Sequence, residues 1–134
     1  CALPIYVPCD VGINESAART LEYAYNDWCI LQVAKSLGRP KKELRELERR
    51  ALNYRNLFRN DHKLMCGRNA DGTFEQRFSP LKWGGNFTEG NSWHYTWSVF
   101  HVLKYPIFAK TTVFTAVFKE TTVPAQDTGL QKSR

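Results

Sequence analysis

Two helical patterns lie on either side of a three-residue break, and they constrain the fold most. The first pattern predicts a helix that begins after a capping residue, Asn14 or Ser16, and ends at Gly38. Its expected buried stripe is Leu21, Tyr25, Trp28, Ala34 and Leu37. The second run begins after Pro40, and its expected stripe is Leu44, Leu47, Ala51, Tyr54 and Phe58. Because so few residues separate the runs, they are expected to pack as an antiparallel helix pair.

After the second helical pattern the sequence loses its helical periodicity. Residues 59–91 hold most of the glycines, and the Asp-Gly pair predicts a tight hairpin at residues 69–72. A segment this long with little helix is more often a functional loop than an idle connection. A third helix is expected from residue 92 to 103, with Trp93, Trp97 and Phe100 on one face. Residues 109–123 have a strand composition, and residues 127–134 are expected to be disordered.

Charge and cysteine content exclude several classes of function. The net charge is +6, but glutamates interleave with the basic residues of the second helix, so ion pairs explain this segment better than nucleic-acid binding does. The four cysteines fit no zinc or redox spacing, and disulfides stay open. No apolar run is long enough for a signal peptide or a membrane span. The Asn86-Phe87-Thr88 triplet matches the N-glycosylation pattern, which matters in a secreted eukaryotic chain.

The run WGGNFTEGNSWHYTW, residues 83–97, holds three tryptophans, three glycines and a single carboxylate, Glu89. Glycines let a backbone approach a ligand, and neighbouring tryptophans would desolvate the acid, which favours the protonated form that a general acid needs. The alternative is a helix start, with Thr88 or Asn91 as the cap and Glu89 near the helix dipole. The residues by themselves favour the helix start.

Aromatic rings beside polar side chains are also a means of holding sugars, since a ring can stack on C–H faces while polar groups bind hydroxyls. The candidates for substrate binding are Trp83, Asn91, Trp93, Arg68 and Asp27. For Trp93 the favoured interpretation is burial in one stripe with Trp97, so Trp83 in the loop is the better candidate for binding a ligand. For Asp27 the alternative is a solvated helix carboxylate, which is the safer interpretation. The histidines show no metal-ligand spacing, so no metal ligand is predicted in this chain.

Four short sequence motifs in this chain resemble motifs of one enzyme family. They are TLEYAYNDWCI, NYRNLF, GRNADG and WGGNFTEGNSWHYTW, and they follow one another over residues 20–97. In residues and in order, these motifs resemble those of the catalytic domain of glycoside hydrolase family 92, the calcium-dependent exo-acting α-mannosidases. The resemblance extends over residues 6–101. At Asn86 this chain departs from the family, which usually has Asp there.

The resemblance implies a mainly α fold, as a segment of an (α/α)₆ barrel with helical hairpins and a long loop rich in glycine and tryptophan. It implies an inverting exo-α-mannosidase acting on terminal α-mannose, with Glu89 as the general acid that protonates the leaving oxygen. It also implies calcium in the complete enzyme. The family supplies its catalytic base and calcium ligands from later Gly-Asn-Glu-Pro and Asp-Asp segments, which this chain does not contain.

Residues 1–101 are therefore expected to be a partial catalytic domain, and residues 102–134 a divergent tail of unknown structure, β or disordered. Such a fragment is expected to be inactive alone and to self-associate through uncovered barrel edges. Its expected partners are α-mannosides, not nucleic acid, and the family suggests a secreted or periplasmic protein. The alternative is a non-catalytic helical binding or interaction protein, or a carbohydrate-binding remnant.

Overall fold

The computed structural model describes residues 5–102, which are mainly helical with one small antiparallel sheet. The elements in chain order are helix α1 (Ser16–Ser36), helix α2 (Lys41–Ala51), a 3-10 helix (Asn53–Leu57), strand β1 (Phe58–Arg59), strand β2 (Leu64–Met65), helix α3 (Ser92–Trp97) and a second 3-10 helix (Phe100–Val102). Among these helices, none combines the length and apolar character needed to cross a bilayer. The mainly helical class is confirmed, and closure into an (α/α)₆ barrel stays a prediction. The predictions for the tail beyond residue 102 concern positions outside the described range.

The first helix ends at the glycine that the sequence indicates. Gly38 has a φ of +64°, and the N–H groups of Gly38 and Arg39 donate to the carbonyls of Lys35 (3.2 Å) and Ala34 (3.0 Å). This is a Schellman motif, in which a left-handed residue lets the chain satisfy the last carbonyls of a helix. The chain reverses there, α2 begins after Pro40, and α2 packs along α1. The predicted helix pair is confirmed.

The buried face of α1 differs from the predicted stripe. It consists mainly of small and aliphatic residues: Ala17, Ala18, Leu21, Ala24, Leu31 and Ala34. Leu37 and Tyr25 are exposed, and the Tyr25 ring stacks on Trp28 with centroids 6.0 Å apart. Small side chains at a helix contact let the two backbones approach closely. Tyr25 and Leu37, two residues of the predicted stripe, therefore lie outside the buried face of α1.

The second helix is shorter than predicted. It ends at Ala51, and the chain tightens into the first 3-10 helix. The side-chain amide of Asn56 donates to the carbonyl of Asn53 at 2.9 Å, and such local bonds compete with continuation of an α-helix. Of the predicted stripe, Ala51 and Tyr54 are buried, whereas Phe58 lies in β1.

The interleaved glutamates of α2 form ion pairs, and the predicted i,i+4 spacing is found in one of these pairs, Arg39–Glu43. The pairs are Arg39–Glu43 at 3.0 Å, Arg49–Glu46 at 2.6 Å and Lys35–Glu48 at 3.9 Å. All six side chains are about half exposed. Exposed pairs of this kind each contribute roughly 0–1 kcal/mol, so they account for the charge pattern without adding much stability.

Residues 59–91 contain two tight reversals. Strands β1 and β2 pair antiparallel, with Phe58 opposite Met65. The hairpin predicted at residues 69–72 is confirmed, because Arg68 forms a bridge with Phe74 and the Asn69 N–H donates to the Thr73 carbonyl at 2.8 Å.

Helix α3 docks through hydroxyl groups. Oγ1 of Thr96 accepts from the Met65 N–H at 2.9 Å, and the Ser92 hydroxyl donates to the Met65 carbonyl. These bonds satisfy backbone groups of β2 that are buried and need partners. The expected burial of Trp93 and Trp97 is wrong, since both are exposed while Ser92 and Thr96 are buried.

The described cysteines are unpaired. Cys9, Cys29 and Cys66 are free thiols. Burial raises the pKa of the Cys66 thiol to about 11. Cys66 is therefore protonated and weakly nucleophilic at neutral pH.

Candidate active site

The loop of residues 83–91 has a fixed path despite its glycines. The Gly84 N–H donates to the Gly90 carbonyl at 2.8 Å and closes the loop at its two ends. Phe87 is buried, and its ring packs on Tyr95 with centroids 5.1 Å apart. The Tyr95 hydroxyl donates to the Thr88 carbonyl at 2.9 Å. Helix α3 thus holds the loop that precedes it.

The loop also caps α1. The carbonyl of Gly85 accepts from the Glu15 N–H, and the carbonyl of Asn86 accepts from the N–H groups of Ala17 and Ala18, each at 3.0 Å. The first N–H groups of a helix have no partner within it, so a distant carbonyl can serve. The predicted cap at Asn14 or Ser16 is wrong, because Glu15 occupies the N-cap position with a φ of 58° and no side chain caps the helix.

Glu89 lies between two anchored neighbours. The Thr88 carbonyl is held by Tyr95, and Gly90 is buried against Tyr95 and His94. Glu89 itself has a φ of 46°, in the left-handed region that non-glycine residues rarely adopt. The residue is exposed, so the described part of the chain presents this carboxylate to solvent and does not desolvate it.

Asn91 caps α3. Its Oδ1 accepts from the N–H groups of Trp93 (3.1 Å) and His94 (3.3 Å), and its own N–H donates to Nδ1 of His94 at 3.3 Å. This reciprocal arrangement is a capping box. The interpretation of Asn91 as a helix cap is confirmed, and its role in substrate binding stays a prediction.

Asn91→Ala is expected to lower the free energy of unfolding by about 1 kcal/mol, because two N–H groups of α3 lose their acceptor. Asn91→Asp is the matched control, since Asp keeps a capping oxygen and is expected to change stability by less than roughly 0.5 kcal/mol. Urea denaturation followed by circular dichroism measures both. An equal loss in the two variants would contradict the capping role of Oδ1.

Trp83 and Trp93 offer aromatic surface beside Glu89 in the sequence. Trp83 is 63% exposed, and its ring meets the His94 ring edge-on with centroids 5.6 Å apart. Trp93 is 42% exposed. Both indoles are accessible to a ligand, as a role in sugar stacking requires.

Arg68 makes contacts within the chain. Its Nε donates to the Gly72 carbonyl at 2.7 Å and its Nη1 to the Asn56 carbonyl at 3.1 Å. The guanidinium lies over the rings of Tyr6 and Phe74, 5.4 Å and 5.2 Å from their centroids. These contacts join the hairpin at residues 69–72 to the start of the described chain.

Asp27 is buried, so its interpretation as a solvated helix carboxylate is wrong. The residue is 5% exposed, and its carboxylate binds Arg50 through Nη2 at 2.6 Å and Nε at 3.0 Å. It lines a cavity of about 260 Å³ together with Tyr6, Thr20 and Asn53. The pairing with Arg50 compensates a charge that burial would otherwise make costly.

Trp83, Glu89, Asn91 and Trp93 therefore lie on one continuous segment, which consists of the loop and the start of α3. Arg68 and Asp27 lie on other segments, where each has partners within the chain. Sequence reasoning missed Tyr95, whose ring and hydroxyl hold the loop. An amphipathic aromatic residue one turn into the helix after a glycine-rich loop is a signal that could have indicated it.

No group of three or more His, Cys, Asp or Glu side chains within residues 5–102 is arranged to hold a metal ion. Calcium prefers six to eight oxygen ligands, several of them carboxylates. The described residues do not fit such a site, and calcium in the complete enzyme stays a prediction.

A family model and several known proteins are similar to this chain. The model described as the glycosyl hydrolase family 92 catalytic domain matches residues 4–127, and so runs past His101, where the resemblance is expected to end. An inverting family 92 mannosidase of Bacteroides thetaiotaomicron VPI-5482 is 48% identical with a TM-score of 0.68, over 72% of this chain and 13% of that one. A second family 92 α-mannosidase of Bacteroides thetaiotaomicron, in complex with mannoimidazole, is 39% identical with a TM-score of 0.67, over 71% of this chain and 13% of that one.

A fungal relative extends the comparison. It is described as an uncharacterized secreted glycosidase of Arthroderma benhamiae, and it is 36% identical over 74 residues, which is 53% of this chain and 9% of that protein. The chain thus spans a small part of the length of each relative. Because the family model matches nearly all of its residues and the solved mannosidases share its fold over most of its length, this chain belongs to glycosyl hydrolase family 92.

Proposed function

We propose that this chain is part of the catalytic domain of an α-mannosidase that removes terminal α-mannose with inversion of configuration. The observation that carries the proposal is Glu89, an exposed carboxylate on a loop whose neighbouring peptides are both anchored. Its presence in the block shared with family 92 and the 48% identity with an inverting mannosidase support the assignment.

In this proposal Glu89 donates a proton to the departing glycosidic oxygen as the bond to the anomeric carbon breaks. A loop held by hydrogen bonds at both ends suits this task, since proton transfer needs the acid within hydrogen-bonding reach of that oxygen. Trp83 and Trp93 stack on the sugar, whose hydroxyl groups need polar partners. Inversion also requires a second carboxylate about 6.5–9.5 Å from the acid to activate water, and we assign no residue of this chain to that role.

A chimeric enzyme, called the graft below, tests the proposal. Residues 5–102 replace the matching segment of the inverting Bacteroides mannosidase, and the folded graft is assayed on aryl α-mannosides, β-mannosides and α-glucosides. Hydrolysis of the α-mannosides alone, with β-mannose as the first product by proton NMR, is expected. A folded graft without α-mannosidase activity would overturn the proposal. Activity measured with calcium and with a chelator tests the predicted calcium requirement.

The 134-residue chain by itself is assayed beside the graft. We expect it to be folded and inactive, because it lacks an assigned base. Turnover by this chain alone would show that its own residues, or a second copy, supply the base. Binding of mannose without hydrolysis would instead support a carbohydrate-binding role.

One observation favours a second candidate, a helical interaction protein. Helix α1 and the C-cap residue that follows it expose apolar side chains at helical spacing: Tyr23, Ile30, Val33 and Leu37. A cluster of exposed apolar side chains on one helix is a feature of surfaces that bind another protein segment. Sedimentation velocity tests this candidate: association that Val33→Lys abolishes favours it, and a monomer at all concentrations counts against it.

We also propose that the protein acts outside the cytoplasm, in a secreted or periplasmic location. The fungal relative is described as secreted, which supports this proposal. Fractionation of cells producing the complete protein would test it.

A further inference from the structure

Three segments meet at the side chain of Asn86, three residues before Glu89. The Ser16 hydroxyl donates to Oδ1 of Asn86 at 3.0 Å, and Nδ2 of Asn86 donates to Oε2 of Glu75 at 2.8 Å. The main-chain carbonyl of Asn86 caps the first turn of α1. One residue therefore ties the loop both to α1 and to the segment that carries Glu75.

The side chain of Asn86 is half-buried, and it packs closely against Gly67. A Cβ added at Gly67 would overlap Nδ2 of Asn86. The Gly67 carbonyl also accepts from the Glu75 N–H at 2.9 Å, which fixes Glu75 beside the amide. Ser16 is fully buried. A glycan on Nδ2, which the Asn-Phe-Thr pattern would direct there, would be attached to the atom that donates to Glu75 and lies against Gly67.

The polarity of the two side-chain bonds restricts which residue can occupy position 86. The partner at position 75 is a carboxylate, which only accepts when ionised, whereas the Ser16 hydroxyl donates. Beside an ionised Glu75, residue 86 must therefore donate on one side and accept on the other, so the Asp that family 92 usually has at this position needs a hydrogen-bond donor in place of Glu75. An amide does both, and a carboxylate of the same shape does not.

We propose that Asn86 is a positioning residue for Glu89, because its amide locks the loop into the path that presents the Glu89 carboxylate. The link from Asn86 to Glu89 is continuous. Phe87 is buried against Tyr95, Tyr95 holds the Thr88 carbonyl, and the Gly84–Gly90 bond closes the loop. The catalytic consequence rests on the proposed function, whereas the docking of the loop does not.

Amide hydrogen exchange of the full 134-residue chain tests the docking. Asn86→Asp places two carboxylates at hydrogen-bonding distance, where they repel. We expect exchange of the Gly84 and Ala17 N–H groups to accelerate about tenfold or more, as in a local opening. The Cys66 N–H, which donates to the Leu57 carbonyl at 2.9 Å, is the internal control and is expected to keep its protection.

The matched rescue is Asn86→Asp combined with Glu75→Gln. A glutamine amide can donate to the introduced aspartate, so the bond re-forms with reversed polarity, and protection of Gly84 and Ala17 should return. Absence of rescue, or equal acceleration at Cys66, would overturn the proposal. If Asn86→Asp does not fold, Ser16→Ala removes only the hydroxyl donor and is expected to give the same local pattern with a smaller amplitude. Unchanged exchange at Gly84 in that variant would also overturn it.

The same variants in the graft connect docking to catalysis. Asn86→Asp is expected to lower kcat with little change in KM at temperatures well below unfolding, and Glu75→Gln is expected to restore kcat. A role limited to stability would lower the melting temperature and leave kcat of the folded enzyme unchanged, which would overturn positioning. An inactive parent graft rejects the proposed function but leaves the exchange experiment valid, so the two failures are distinguishable.

Discussion

Glu89→Gln is expected to lower kcat/KM by about 10²–10⁴-fold on mannosides with poor leaving groups, measured in the graft. The glutamine amide keeps the shape of the acid, but its N–H protons are far too weakly acidic to be transferred to the departing oxygen. A dinitrophenyl mannoside, whose leaving group departs without protonation, is expected to lose much less. Since the peptides on both sides of Glu89 are anchored, the substitution should leave the loop in place.

Glu22→Gln is the matched control. It makes the same chemical change at an exposed position of α1, outside the loop. We expect activity on both substrates to stay within about twofold of the parent graft, as for surface changes distant from a site. An equal loss on good and poor leaving groups in Glu89→Gln would contradict proton donation and indicate a binding or structural role.

Arg50→Ala is expected to lower the free energy of unfolding by about 3 kcal/mol, because it leaves the Asp27 carboxylate buried without its partner. The Asp27 side chain is 8% exposed and that of Arg50 is 34% exposed. Because water partly reaches Arg50, the expected loss of unfolding free energy lies at the lower end of the usual range for buried ion pairs. Urea denaturation of the 134-residue chain measures it.

The neighbouring arginine on α2 provides the control. Arg49 pairs with Glu46 at a similar distance, but both of these side chains are 50% exposed. Arg49→Ala is therefore expected to cost less than about 1 kcal/mol. Adding Asp27→Asn to Arg50→Ala should recover part of the stability, since the uncompensated charge is then absent. Equal losses for the two arginines would show that burial of Asp27 has little energetic effect.

The break between α1 and α2 and the hairpin could be predicted because their determinants are local. Gly38 can adopt the left-handed conformation that the cap needs, and Pro40 sets the backbone at the next helix start. The hairpin at residues 69–72 follows from the same kind of signal. Each depends on the backbone preferences of a few consecutive residues, so one sequence is enough to identify it.

The buried faces could not be predicted as well. Trp93 and Trp97 have the spacing of a buried stripe, yet Ser92 and Thr96 are buried because the backbone of Met65 needs hydrogen-bond partners there. Asp27 looks like a surface carboxylate until Arg50 is placed beside it. Side-chain spacing gives the period of a helix but not the identity of the surface that it meets.

By itself, the sequence determined the helix pair, the hairpin and the family to which the chain belongs, and it singled out Glu89 as the candidate acid. The tertiary structure decided how Glu89 is held, through Tyr95 within α3 and through Asn86 docked on Ser16 and Glu75. The physical reason is separation along the chain. Propensity and motif act over a few residues, whereas these hydrogen bonds join residues up to 70 positions apart and exist only once the segments have packed together.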